Sequence, residues 1–266
     1  MNNDYLLAPA LLEGTAFFII ALAVLMISAH TQLLALAARR TTLSPAVQFR
    51  VPLIAAALLA AWFGWAVLAT SDRVVAPDPL PVAGQLQLPL GRLAGMAVFV
   101  AAGIAVLFWS RTMRMLNTAM PPAWLIGVQT YRVAGLIFLW PFLAHGALPA
   151  GFALPAGIGD ALTGLLAPLV AWAVARNRPG ARALAVGWNL FGMLDLMVAP
   201  AAAVLAQSTN VARFPLVIIP LFVGPPLGIL THIYSLRNLY ATQGTRQVTG
   251  PANSENSAKG ASMQVT

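Results

Sequence analysis

Seven long stretches of the chain are almost wholly apolar: 14–38, 51–70, 93–110, 124–145, 155–175, 184–206 and 214–236. Each is close to the roughly 20 residues that a helix needs to cross a hydrocarbon layer. The runs are continuous rather than alternating in polarity, which points away from the strands of a transmembrane β-barrel. A segment inside lipid has to satisfy its backbone polar groups internally, so runs of this length predict helices. The expected fold is an all-α polytopic transmembrane bundle of seven spans, occupying residues 1–240. Residues 71–91 are proline-rich and predict an extended external loop. Residues 241–266 are polar and poor in bulky apolar side chains, the composition of a disordered tail. Neither segment reads as a second domain.

The polar connections carry an orientation. Arg39, Arg40, Arg50, Arg111, Arg114, Arg176, Arg178, Arg182, Arg237, Arg246 and Lys259 fall on one side of the alternating spans, and only Arg73, Arg92 and Arg213 on the other. Short loops rich in arginine and lysine stay in the cytoplasm, so this predicts an external N-terminus and a cytoplasmic C-terminus. The first apolar run follows Asp4 and Glu13 and lacks the basic flank of a secretory signal, so it reads as a retained helix.

Composition agrees with the pattern. Of 266 residues 59% are hydrophobic and 8% charged, against about 25% charged in soluble domains. The net charge of +8 resides in the short connections, without the clustered basic patch of a nucleic-acid binder, so no nucleic-acid partner is expected. The absence of cysteine excludes thiolate metal sites and cysteine nucleophiles. Fourteen of the fifteen basic residues are arginine. The lone lysine, Lys259, lies in the tail, and Schiff-base chemistry of the retinal type needs a membrane-embedded lysine. Alanine- and arginine-rich, lysine-poor usage points to a GC-rich bacterial genome and hence to the bacterial cytoplasmic (inner) membrane.

The chemistry lies in the few charges inside these runs. Asp195 sits in "GWNLFGMLDLMVAP", roughly 16 Å from the start of its span and close to the midplane. A central carboxylate costs about 3 kcal/mol on insertion scales unless it is paired, protonated or hydrated. Arg132, in "QTYRVAGLIFLW", lies either inside the fourth span or at its cytoplasmic boundary, since residues 133–154 are themselves long enough to cross. If inside, it reaches a depth near that of Asp195, and an Arg132–Asp195 pair between the fourth and sixth spans is expected. His145 and Asp160 are expected together near the outer face, a histidine–carboxylate pair suited to relaying protons. Asn189 and Gln129 add polar contacts. The "VGPPLG" run, Gly224 to Gly228, is expected to interrupt the seventh span, and Gly157, Gly159 and Gly164 to allow close helix approach. "PPAWLIGVQTYRVAG" and "RPGARALAVGWNLFG" align as a weak repeat that pairs Arg132 with Asn189 and Gly135 with Gly192, a similarity that shared composition can produce by itself.

These readings favour a carrier of a small solute or ion with proton-linked carboxylates over an enzyme. Its pathway would be marked by Asp195, Arg132, Asp160, His145, Asn189 and Gln129. The alternative is a non-catalytic membrane partner or assembly subunit whose buried charges fix helix packing. A lipid-phase enzyme is a third class, and so is a haem protein ligated through His30 and His232; otherwise no cofactor or metal is expected. The lipid bilayer is the expected environment, with homo-oligomerisation left open.

Overall fold

The computed structural model describes residues 9–70, 90–143, 146, 148–206, 216, 218, 219, 222 and 224–248. Among these there is no strand. The helices are α1 (Pro9–Ala38), α2 (Pro45–Thr70), α3 (Leu90–Trp109), α4 (Arg111–Ala119), α5 (Pro122–Gly127), α6 (Ala150–Ala175), α7 (Ala181–Leu205) and α8 (Pro225–Val248). Four stretches are long and apolar enough to cross a membrane: Glu13–Ala38, Pro45–Leu68, Ala150–Ala175 and Ala181–Leu205. The bent pair Ala94–Trp109 and Arg111–Ala119 brings the number to five if it forms one span. Large apolar side chains such as Phe17, Phe49, Leu58, Leu169 and Leu205 face outward. Water would penalise such a surface, whereas lipid tails are as apolar as leucine. This is a multi-pass membrane protein.

The expected fourth span takes an unusual form. After α5 the chain tightens into a 3₁₀ segment, Val128–Phe138, and then a π segment, Leu139–Leu143. Runs of 3₁₀ helix longer than one turn are uncommon, because their hydrogen bonds are less favourable and their side chains eclipse. This run carries Gln129, Arg132 and Gly135, and it packs more extensively on α6 than on any other helix. The π segment breaks at Trp140, which is extended (φ −137°, ψ 110°).

Other boundaries follow local chemistry. At Ser110 the chain turns by 88° into α4, and the Ser110 hydroxyl caps it by accepting from Met113 N at 3.2 Å. Beyond α6, Asn177 takes a left-handed conformation (φ 48°). Its N–H reaches Val174 O at 3.1 Å, and Arg178 N reaches Ala173 O at 3.0 Å. That is the paired carbonyl closure of a Schellman C-cap, with asparagine in the place glycine usually takes.

The "VGPPLG" run holds a helix boundary inside the seventh apolar run: Ile218, Ile219 and Phe222 are helical, Gly224 is a turn, and Pro225 and Pro226 open α8. Proline lacks a backbone donor, and the first turn of a helix has donors to spare, so the pair fits the start with little cost. At the other end α8 continues to Val248, into the segment expected to be disordered. Once a helix is nucleated, each further residue such as Ala241 or Gln243 adds a hydrogen bond for little entropy. The loop read over 71–91 lies almost wholly outside the described residues, as do residues 249–266.

The helices divide into two groups that share α8. On one side the 3₁₀ segment, α6, α7 and α8 pack in close contact. On the other, α1 and α2 pair, and α3 and α4 lean on α8.

Candidate functional site

Arg132 is the node of the tightly packed half. It projects from the 3₁₀ segment and is 2% exposed, so its guanidinium is enclosed by protein rather than turned outward. Its Nε donates to Asp160 Oδ1 at 2.7 Å. Its Nη2 donates to Asp195 Oδ2. Its Nη1 donates to the Gly192 carbonyl at 3.1 Å and to His232 Nε2 at 3.2 Å. Four elements therefore meet on one guanidinium: its own segment, α6, α7 and α8. A planar fork with five N–H groups can hold partners in several directions, which a lysine ammonium cannot do at fixed geometry.

The contact to His232 fixes that ring's state in this arrangement. Arginine only donates, so Nε2 presents its lone pair and Nδ1 carries the hydrogen. Nδ1 then donates to Asn189 Oδ1 at 2.9 Å. The Asn189 amide nitrogen donates onward to Ala185 O at 2.7 Å and Ser235 Oγ at 3.2 Å. The ring also lies against Trp188, with centroids 5.0 Å apart. Arg132 and Asn189, the positions matched in the weak repeat, thus bind opposite nitrogens of one imidazole.

Glycine makes these approaches possible. A Cβ on Gly159 would collide with the Asp195 carboxylate, and a Cβ on Gly192 would meet His232 Cε1 at 2.5 Å and Arg132 Nη1 at 3.1 Å. Backbones carrying larger residues could not come close enough to bring the charges together.

The structure brings together Arg132, Asp195, Asp160 and Asn189 from among the residues singled out in the sequence. Asp160 requires a correction. It was expected at the outer mouth beside His145, yet it lies in the interior on Arg132. The cause is the helix boundary: α6 starts at Ala150, so Asp160 lies about 15 Å along it. His145 is outside the described residues. Gln129 is buried but turned elsewhere, donating to Gly228 O at 3.2 Å. His30 Nδ1 contacts Met26 O at 2.8 Å and its Nε2 contacts Thr231 Oγ1 at 3.2 Å, while both nitrogens of His232 serve the Arg132 network.

Gly159 makes the close approach expected of it, whereas sequence reasoning missed the place of His232 in this network and of Gly192 beside the charges. A signal was present, since glycine follows Arg132 by three residues at Gly135 and precedes Asp195 by three at Gly192. One helical turn from a buried polar group, glycine marks where a neighbour can approach.

A family model described as a domain of unknown function, DUF8737, matches residues 88–240. That is more than half of the 266-residue chain. The chain belongs to the DUF8737 family. The DUF8737 match runs from the start of α3 into α8, so it includes Arg132, Asp160, Asp195 and His232 and leaves out α1 and α2. No curated protein and no solved structure matches the chain.

Chemically the cluster is unbalanced. One guanidinium faces two carboxylates, which leaves one negative charge in excess when both are ionised. Uncompensated charge away from water is costly, and chemically such a unit can take up one proton or one small cation.

Proposed function

We propose that the protein is a seven-span carrier of the bacterial cytoplasmic membrane, external at its N-terminus, that moves a small solute or ion in step with protons. The observation that carries this reading is the single buried guanidinium shared by two carboxylates from different helices. A proton arriving on one carboxylate weakens its hold on Arg132 and leaves the other carboxylate as sole counter-ion. Such a change gives two states with different contacts between α6 and α7, which is what a proton needs in order to bias a conformational equilibrium. The asymmetry of charged loops supports the orientation. On this reading residues 122–143 and α8 are the two further spans.

The test uses purified protein in vesicles that enclose a pH-reporting dye. Panels of amino acids, organic acids, sugars and monovalent cations are added outside. At least one class is expected to drive proton entry with the native protein and to fail with Asp195→Asn. Absence of solute-driven proton movement across the whole panel would defeat the carrier reading.

A second reading is favoured by the crowding around Gly159 and Gly192, which leaves little room beside the cluster for a solute. In it the protein is an assembly subunit, and the charges fix which helix faces meet. Asp195→Asn would then change stability or complex formation while no flux is found.

A further inference from the structure

The apolar half holds a cavity of about 600 Å³ between α1, α2, α3, α4 and α8. This lies within the size range of sites for small organic ligands. Its wall includes Leu34, Trp62, Phe99, Val106, Met113 and Tyr234. The polar groups on the wall are already engaged within the protein. His30 is held by Met26 and Thr231, and the Tyr234 hydroxyl donates to Gly103 O at 3.1 Å. The wall therefore suits hydrocarbon rather than a polar solute.

Within one helical turn of the lining residues Val106, Met113 and Tyr234, two guanidinium groups converge on Phe108. Arg114 Nη1 donates to the Phe108 carbonyl. The Arg237 guanidinium lies 5.4 Å from the centre of the Phe108 ring, and its Nη1 is buried with no hydrogen-bond partner among the described residues. A buried guanidinium nitrogen without an acceptor carries a desolvation cost that an anionic oxygen would relieve. The carboxylates of the charge cluster do not serve this purpose, since both are bound to Arg132.

We infer that this cavity is a binding site for an anionic membrane lipid, with hydrocarbon against the Trp62 and Phe99 wall and a phosphate at Arg237 and Arg114. The occupant is a lipid rather than a free anion because Arg114 and Arg237 follow the lining residues Met113 and Tyr234 within one helical turn, and the chamber between the helices is apolar. Basic pockets between membrane helices are a recurrent means of holding lipid phosphates. The site uses none of the residues of the Arg132 cluster and stands apart from the carrier reading.

The experiment is native mass spectrometry of the full chain, equilibrated in mixed vesicles of phosphatidylglycerol and phosphatidylcholine with identical acyl chains. The native protein is expected to retain one phosphatidylglycerol with about tenfold preference, the effect of one to two arginine–anion contacts. Arg237→Gln should lose the preference while still retaining lipid, and Arg237→Lys should recover part of it. Ala102→Trp, which fills the chamber, should lose retained lipid of both kinds. Gel filtration and thermal unfolding confirm that each variant is folded; if Arg237→Gln fails to fold, the preference of the native protein and the Ala102→Trp result decide the matter. Equal retention of the two lipids by the native protein, or undiminished retention by folded Ala102→Trp, would overturn the inference.

Discussion

The two halves of the bundle are made from similar alanine- and leucine-rich helices, yet they pack in opposite ways. In the half built by the 3₁₀ segment, α6, α7 and α8, glycines let the helices close until side chains from three helices share the guanidinium of Arg132. In the half built by α1 to α4, the rings of Trp62, Trp65 and Phe99 stack on one another at centroid distances of 4.7 and 4.5 Å and line an open chamber. α8 serves both. It turns His232 toward Arg132 and Thr231 toward His30, one residue apart. Small residues bring backbones together and permit a buried charge to be paired, whereas bulky rings hold helices apart and leave space for something apolar.

The contrast is most readily broken at the charge node. Arg132→Met leaves two buried carboxylates without their cation and should cost about 3–5 kcal/mol or abolish folding. Thermal unfolding in detergent and the yield of monodisperse protein measure this. The double variant Asp160→Asn/Asp195→Asn strands the arginine instead and should lose a similar amount. Next in size is Gly159→Ala, whose methyl group has to displace the Asp195 carboxylate; overpacking of this kind costs about 1–3 kcal/mol. It should lower the unfolding midpoint, and an unchanged midpoint would show that α6 and α7 can separate freely.

The single variants Asp160→Asn and Asp195→Asn should each be milder than half of the double change, because either one leaves a balanced pair with Arg132. A double-mutant cycle reads this directly. Additive losses would mean that the two carboxylates act independently and that the cluster is not a single proton-accepting unit. The smallest effect is expected in the other half: Ala102→Leu points into the chamber and should stay within about 0.5 kcal/mol of the native protein. A loss as large as that of Gly159→Ala would show that the chamber is closed in solution.

Much of the helical architecture was legible in the hydrophobic runs, since a lipid-exposed backbone has few alternatives to the helix. The bend at Ser110 and the conversion of residues 128–138 to 3₁₀ form were not. Each depends on how neighbouring helices press on a short segment, and hydropathy averages over that scale. Asp195 and Arg132 stood out because charge inside an apolar run is costly wherever it lies. Asp160 was misplaced because its depth depended on where α6 begins, and helix ends are the least determined feature of an apolar sequence. Asn117 and Asn238 gave no signal at all, although the Asn117 amide donates to Asn238 Oδ1 at 2.7 Å and ties α4 to α8.

The sequence by itself determined that the chain is a helical membrane protein and that a handful of interior charges must find partners. It could do so because both conclusions rest on the free energy of moving groups from water into lipid, which each residue carries with it. Only the tertiary structure decided that one arginine serves two aspartates, that a histidine joins them through its neutral face, and that the opposite half remains open. Those outcomes depend on distances of a few ångströms between helices far apart in the chain, set by where glycines permit approach and where aromatic rings forbid it.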